Sequence, residues 1–243
     1  MNEADKPGVL RSSITVELST KEAVALFNGR KKTEELNLII GLSDFAQRVR
    51  DINNASHNND PYADFFLLEI EYALKSAKEE LIDSQDDLTK LSDSSLLQIN
   101  QGSSIRPTTL ETRFASVYAN IALDLLKRAD NLLLTLYALR HTGMFNRVDC
   151  NNQINNTKRL LRKTFLSANG YRFFGINRRD VEQQTAKYRQ AHVAMKFTEE
   201  LPADILDKTR RAEFAPNIVL DPNEIFRKPK KVNTQATAAA KDE

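Results

Sequence analysis

Asp60-Pro61 opens the stretch that most restricts how this chain can fold. A side-chain acceptor at a helix N-cap followed by proline at the first helical position is a strong start signal. Beyond it, Leu67, Ile70, Leu74, Ala77, Leu81, Ser84, Leu88 and Leu91 recur at alternating spacings of three and four. That spacing predicts a long helix with a heptad seam, which is either buried in the core or offered to a partner helix. Its outer face is acidic, with Glu69, Glu71, Glu79, Glu80, Asp83, Asp86 and Asp87. Only seven glycines and seven prolines occur among 243 residues, so tight turns are few and long helices are favoured throughout.

Two segments break the helical pattern. In 11–18, Ile14, Val16 and Leu18 alternate with Ser13, Thr15 and Glu17, the period-two pattern of a half-buried strand. In 107–114, Leu110, Thr112 and Phe114 share one face, while Thr109, Glu111 and Arg113 share the other. Each strand is followed by two helical segments. After the first come a short helix capped by Ser19 or Thr20 and ending at Asn28-Gly29, and another from about Ser43 to Ile52. Asn53 to Asn59 reads as a polar loop. After the second come a helix from Ser116 to about His141 and one from Asp149 to Gly170. Asn177, with Asp180 three residues on, predicts a further helix to about Met195, and 202–208 one more turn. The expected fold class is mainly α with a small two-stranded β-ribbon, in which ribbon-helix-helix-like elements are elaborated by additional long helices. One domain is expected over 9–225, with a flexible 1–8. The basic and Ala-rich tail 226–243 reads as disordered.

Cys150 is the only cysteine, and the N-terminus lacks a signal peptide, so a reducing, cytoplasmic setting is expected. No apolar run approaches the roughly 20 residues that cross a bilayer. His57, His141 and His192 have no metal-ligand spacing, and no glycine-rich phosphate loop is present. Cys150 and His192 could form a nucleophile pair only if the fold brought them together. No catalytic residue, metal, cofactor or small-molecule ligand is expected.

Charge is more informative in its distribution than in its formal net value of +2. Residues 60–93 hold ten acids against Lys75, Lys78 and Lys90. Residues 158–196 hold ten bases, among them Lys158, Arg162 and Arg178, against Asp180 and Glu182. A basic face suits DNA phosphates because each neutralised phosphate releases counterions. Such runs can equally be solvated helix exteriors, or can pair with the acidic region. The strands carry the sharper idea. A two-stranded ribbon can enter the major groove, where Arg, Ser, Thr and Glu side chains read base edges. The outward set is Arg11, Ser13, Thr15 and Glu17 on one strand, and Thr109, Glu111 and Arg113 on the other, with Arg106 at the entry. A small sheet that merely covers a helical core would show the same pattern.

Pro7–Leu18, Asn28-Gly-Arg30, Asp60–Asp64, Arg113-Phe-Ala115, Ala138–Gly143 and Glu213–Pro216 are similar to blocks of the AcaB family. These are transcriptional regulators of integrating conjugative elements and large conjugative plasmids. The resemblance spans residues 7 to about 216. It implies a dimeric activator of conjugative-transfer genes, built on a core related to ribbon-helix-helix proteins and acting near the nucleoid. Candidate DNA-contacting residues are Arg11, Ser13, Thr15, Lys75, Arg106, Thr109, Arg113, Lys158 and Arg162, chosen from the strands and from charge. Lys75 stands out as an isolated cation on an acidic helix, and pairing with Glu71 or Glu79 would equally explain it. The expected partners are double-stranded promoter DNA and a second copy of the chain. The rival expectation is a helical scaffold without DNA specificity, whose seam at 67–91 recruits a partner helix.

Overall fold

A computed structural model describes residues 13–94, 102 and 104–219. Arg11, the 1–8 segment and the 226–243 tail lie outside these residues. The order of elements is β1 (Ile14–Leu18), α1 (Lys21–Asn28), α2 (Leu42–His57), α3 (Pro61–Asp93), β2 (Thr108–Thr112), α4 (Val117–His141), α5 (Arg147–Leu166), α6 (Arg178–Glu182), α7 (Ala186–Ala194) and α8 (Ala203–Leu206). β1 and β2 form a two-stranded antiparallel sheet, pairing Ile14 with Thr112 through to Leu18 with Thr108. The fold is therefore mainly helical with one small ribbon, as the sequence predicts. Each strand is followed in space, as in sequence, by two helices, and α3 joins the two strand–helix–helix units.

α4 is the central helix, packing against α1, α2, α3, α5 and β1. Ala122, Leu125, Leu126, Ala129, Leu132, Leu133, Leu136 and Leu139 are all buried along it. α3 lies beside it in the same direction. Glu71 meets Tyr118 near one end, and Leu81 to Asp86 face Arg128 and Asn131 further along. The α3 seam is core packing. Leu67, Ile70, Leu74, Ala77, Leu81 and Leu88 are buried within the chain, while Ser84 and Leu91 are half-buried. At about 25 cal/mol per Å², burial of this stripe is a main stabilising contribution to the fold.

Local signals place most helix starts. Thr20 Oγ1 accepts from Ala23 N (3.2 Å) to cap α1. Asn146 caps α5 through Asp149 N (2.8 Å), and Asn177 with Asp180 forms a reciprocal capping box on α6. α1 ends at Gly29 in the left-handed region, with φ 66. A Cβ there would sit 2.5 Å from Gly41 N and Ile39 O, so backbone meets backbone and only glycine fits. Arg30 and Ile39 exchange two backbone hydrogen bonds of 2.8 Å, which closes the exposed 31–38 loop at its base.

Four expectations need correction. α2 does not stop at Ile52 but continues through the asparagines to His57. Ala55 and Ser56 are buried, and Asn53 Nδ2 donates to Ser116 Oγ (2.9 Å), so tertiary contacts override the turn preference of the asparagines. The 177–195 helix is broken in two at Gln184, whose φ is 48, and Thr185 caps a new start by accepting from Tyr188 N (3.4 Å). Ile14, read as inward, is 42% exposed, because the core beneath β1 begins only at Val16. Arg178, counted on the basic face, is buried and ion-paired with Asp64 (2.5 Å).

That pair sits at the corner between α2 and α3. Asp64 accepts from Ser56 Oγ (2.5 Å), Arg178 (2.5 Å) and Arg211 (3.0 and 3.1 Å). Arg178 also donates to Asn59 Oδ1 (2.7 Å) and to the carbonyls of Ile205 and Leu206. Beside it, Asp60 caps α3 through Tyr62 N and Ala63 N, and accepts from Tyr171 OH (2.7 Å). Burial pushes the Asp60 carboxyl up to about 6, against the pull of those hydrogen bonds. A carboxyl raised in the folded state stabilises the fold below its unfolded pKa near 3.8, and that contribution is lost as pH rises towards 6. Asn retains the capping oxygen without the charge. We therefore expect Asp60→Asn to gain stability relative to the parent by up to ~3 kcal/mol between pH 4 and 7. Parallel urea titrations across that range, with a constant difference between the two proteins, would contradict this.

Candidate nucleic-acid interface

β1 and β2 present one face to the core and one to solvent. Val16, Leu18 and Thr112 are buried and Leu110 is half-buried. Thr15, Glu17, Thr109 and Glu111 are all exposed, as the alternation predicts. Across the ribbon Thr15 stands opposite Glu111, and Glu17 opposite Thr109. Ser13 and Arg113 are exposed at the same end of the sheet, just outside the paired residues. Arg113 forms a salt bridge with Glu111 (2.9 Å) on the exposed side. Arg106 is exposed in the approach to β2, where its N–H donates to Ser104 Oγ (3.2 Å). Thus Ser13, Thr15, Arg106, Thr109 and Arg113 belong to one ribbon and its entry, while Arg11 lies outside the described residues.

The ribbon is held by a residue that the sequence reading passed over. Asp130 lies in the middle of α4 and is fully buried. Its carboxylate accepts from Ser19 N (2.9 Å), Thr20 N (2.9 Å) and Thr20 Oγ1 (2.7 Å), where β1 turns into α1. Lys127 Nζ completes the set, donating to Asp130 Oδ2 (3.2 Å) and to the Glu17 carbonyl (2.8 Å). One carboxylate of the second strand–helix–helix unit thereby fixes the strand-to-helix turn of the other. Its only sequence signal is a lone acid inside the apolar stripe of α4.

The remaining candidates sit elsewhere. Lys75 lies on α3 and pairs with Glu71 and with Glu213 (3.5 Å). There Glu71 also accepts from Tyr118 OH (3.0 Å) and Glu213 N (2.8 Å). Burial would raise the Glu71 carboxyl, but the donors from Lys75, Glu213 and Tyr118 hold it below its ordinary value. Lys75 borders a mostly apolar, half-open cavity of about 420 Å³ between α3 and α4, lined by Leu74, Val117, Tyr118, Ile121 and Phe214. Lys158 and Arg162 are half-buried on α5. Lys158 donates to Asn155 Oδ1 (3.3 Å), and Arg162 Nε is buried without a hydrogen-bond partner. The structure therefore groups the strand residues and leaves Lys75, Lys158 and Arg162 on separate helices.

Nucleophile chemistry finds no assembled pair. Cys150 is buried with Sγ directed at Leu136 O (3.6 Å), whereas His192 Nδ1 lies 2.9 Å from Tyr62 OH. Among the described residues no group of three or more His, Cys, Asp or Glu could hold a metal ion. No helix among them is long and apolar enough to cross a membrane.

Comparison with known proteins agrees with the architecture. The family model described as transcriptional regulator AcaB matches residues 6–219. The crystal structure of selenomethionine-containing AcaB from uropathogenic E. coli superposes with a TM-score of 0.57, covering 85% of this chain and 100% of that one. The two sequences are 12% identical, so the likeness is one of fold. No curated protein matches the sequence.

Proposed function

The chain belongs to the AcaB family of transcriptional regulators, and from that premise we propose that it is a sequence-specific DNA-binding protein that activates conjugative-transfer genes. One observation carries this reading: a two-stranded ribbon lies on the helical core with Thr15, Glu17, Thr109 and Glu111 turned outward. Hydroxyls and carboxylates of this kind match base-edge donors and acceptors in the major groove. In the proposed complex Ser13, Thr15, Thr109 and Arg113 face base edges, and Arg11 and Arg106 flank them on phosphates. Lys75, Lys158 and Arg162 would supply more distant phosphate contacts, which position the protein without specifying sequence. A second copy of the chain, and an intracellular site of action on the nucleoid, belong to the same proposal.

The scaffold alternative loses its main support, because the 67–91 seam is packed inside the chain.

The test is a fluorescence-anisotropy titration against promoter fragments of the host conjugative element, with random competitor DNA at two salt concentrations. Affinity should fall steeply with salt and survive the competitor. Indifference to DNA at physiological salt would sink the proposal. Within the same assay Arg113→Ala should weaken specific binding by ~1–3 kcal/mol if the guanidinium leaves Glu111 for a base edge. Unchanged affinity and specificity would remove Arg113 from the interface.

A further inference from the structure

We propose that a single chain carries a complete, pseudo-two-fold DNA-reading ribbon and therefore recognises an inverted repeat with non-identical strands. The inference rests on the DNA-binding proposal above and extends it to the symmetry of the target. An antiparallel strand pair has a local two-fold axis perpendicular to the sheet. In the observed register Val16 opposes Leu110. Rotation about the midpoint of that pair carries Thr15 onto Thr109 and Glu17 onto Glu111.

The residues exchanged by this rotation are chemically the same. Thr15-Val16-Glu17 and Thr109-Leu110-Glu111 are one Thr-apolar-Glu pattern written twice. All four polar members are exposed, and both central apolar residues face the core. The sequels correspond in order as well, since each strand is followed along the chain by one helix and then a second. Both strands come from one polypeptide, joined through α3, so the ribbon is closed without a second copy.

Duplex DNA has the same kind of dyad, and a two-fold protein matches a palindromic site. A ribbon with Thr and Glu at mirror positions would place a hydroxyl and a carboxylate on equivalent base pairs of the two half-elements. The repeat ends at Arg113, which occupies the place of Ser19. Arg113 neutralises Glu111, whereas the equivalent place after Glu17 holds the uncharged Ser19. The two halves are thus read alike at their centre and differently at one edge.

Selection of duplexes from a random pool by the full chain tests this, followed by the same selection with Thr15→Ala and with Thr109→Ala. Both side chains are exposed, so the fold should tolerate their loss. The parent should return an inverted repeat. Each single variant should return a motif with one half kept and the other relaxed, discrimination there falling about tenfold. Within the element covered by one ribbon, a single substitution that loosens both halves together would overturn the inference, because that is the behaviour of identical strands contributed by two chains. A parent motif without inverted symmetry would also overturn it. Failure to enrich any sequence would instead remove the DNA-binding proposal, and this inference with it.

Discussion

Asp130→Ala should lower the stability of the fold by about 3–5 kcal/mol, the range for removing one partner from a buried charged cluster. The substitution strands two backbone donors, the half-buried Ser19 N and the buried Thr20 N, together with the Thr20 hydroxyl. It also leaves the Lys127 amine with only the Glu17 carbonyl. Because these groups lie where β1 meets α1, the loss should be felt first at the ribbon. Amide exchange at residues 14–20 should rise by more than exchange along α3. Lys127→Ala serves as the control, since its side chain is 36% exposed and Asp130 would keep its three other donors. About 1 kcal/mol is expected there. A urea midpoint for Asp130→Ala close to that of the parent would show that the strand holds itself in place without the carboxylate.

Asp64→Ala should cost a similar amount, about 3–5 kcal/mol, for a different reason. It leaves the buried Arg178 guanidinium with neutral acceptors only: Asn59 and the carbonyls of Ile205 and Leu206. Arg211, which bridges Asp64, Ser56 and the Pro216 carbonyl, would lose its ionic partner too. The penalty is mainly that of an uncompensated buried charge. Removing both charges, in Asp64→Leu with Arg178→Met, should therefore recover much of it. A double-mutant cycle should give a coupling of about 2 kcal/mol or more. Additive single effects would mean that the two side chains act independently despite their 2.5 Å contact.

These two carboxylates also mark where the sequence stops being legible. Helix starts at Thr20, Asp60 and Asn177 are local events, so a residue and its neighbours three positions on suffice to read them. The α3 stripe and the strand alternation are likewise periodic and visible. What local reading cannot supply is a partner more than a hundred positions away. Thr20 meets Asp130 at a separation of 110, and Asp64 meets Arg178 at 114. Arg178 therefore resembles any other base in a basic run until Asp64 is placed against it. A partner 63 positions away likewise explains why α2 runs on through Asn53, whose side chain is held by Ser116. The strand face is legible residue by residue, whereas the two-fold relation between its two halves depends on register, which only the paired structure supplies.

The pinched base of the 31–38 loop bears on how much change the molecule can absorb. Gly29 and Gly41 are in backbone contact, and Arg30 with Ile39 closes the ring. Chain enters and leaves at one point, and every residue from 31 to 38 is exposed. Lengthening an exposed loop of this kind carries only a small entropic penalty, about 0.6 kcal/mol for each doubling. The segment is thus a natural port for grafted sequence, where a tag, a fluorophore or a whole folded insert can be carried while α1, α2 and the ribbon stay in place.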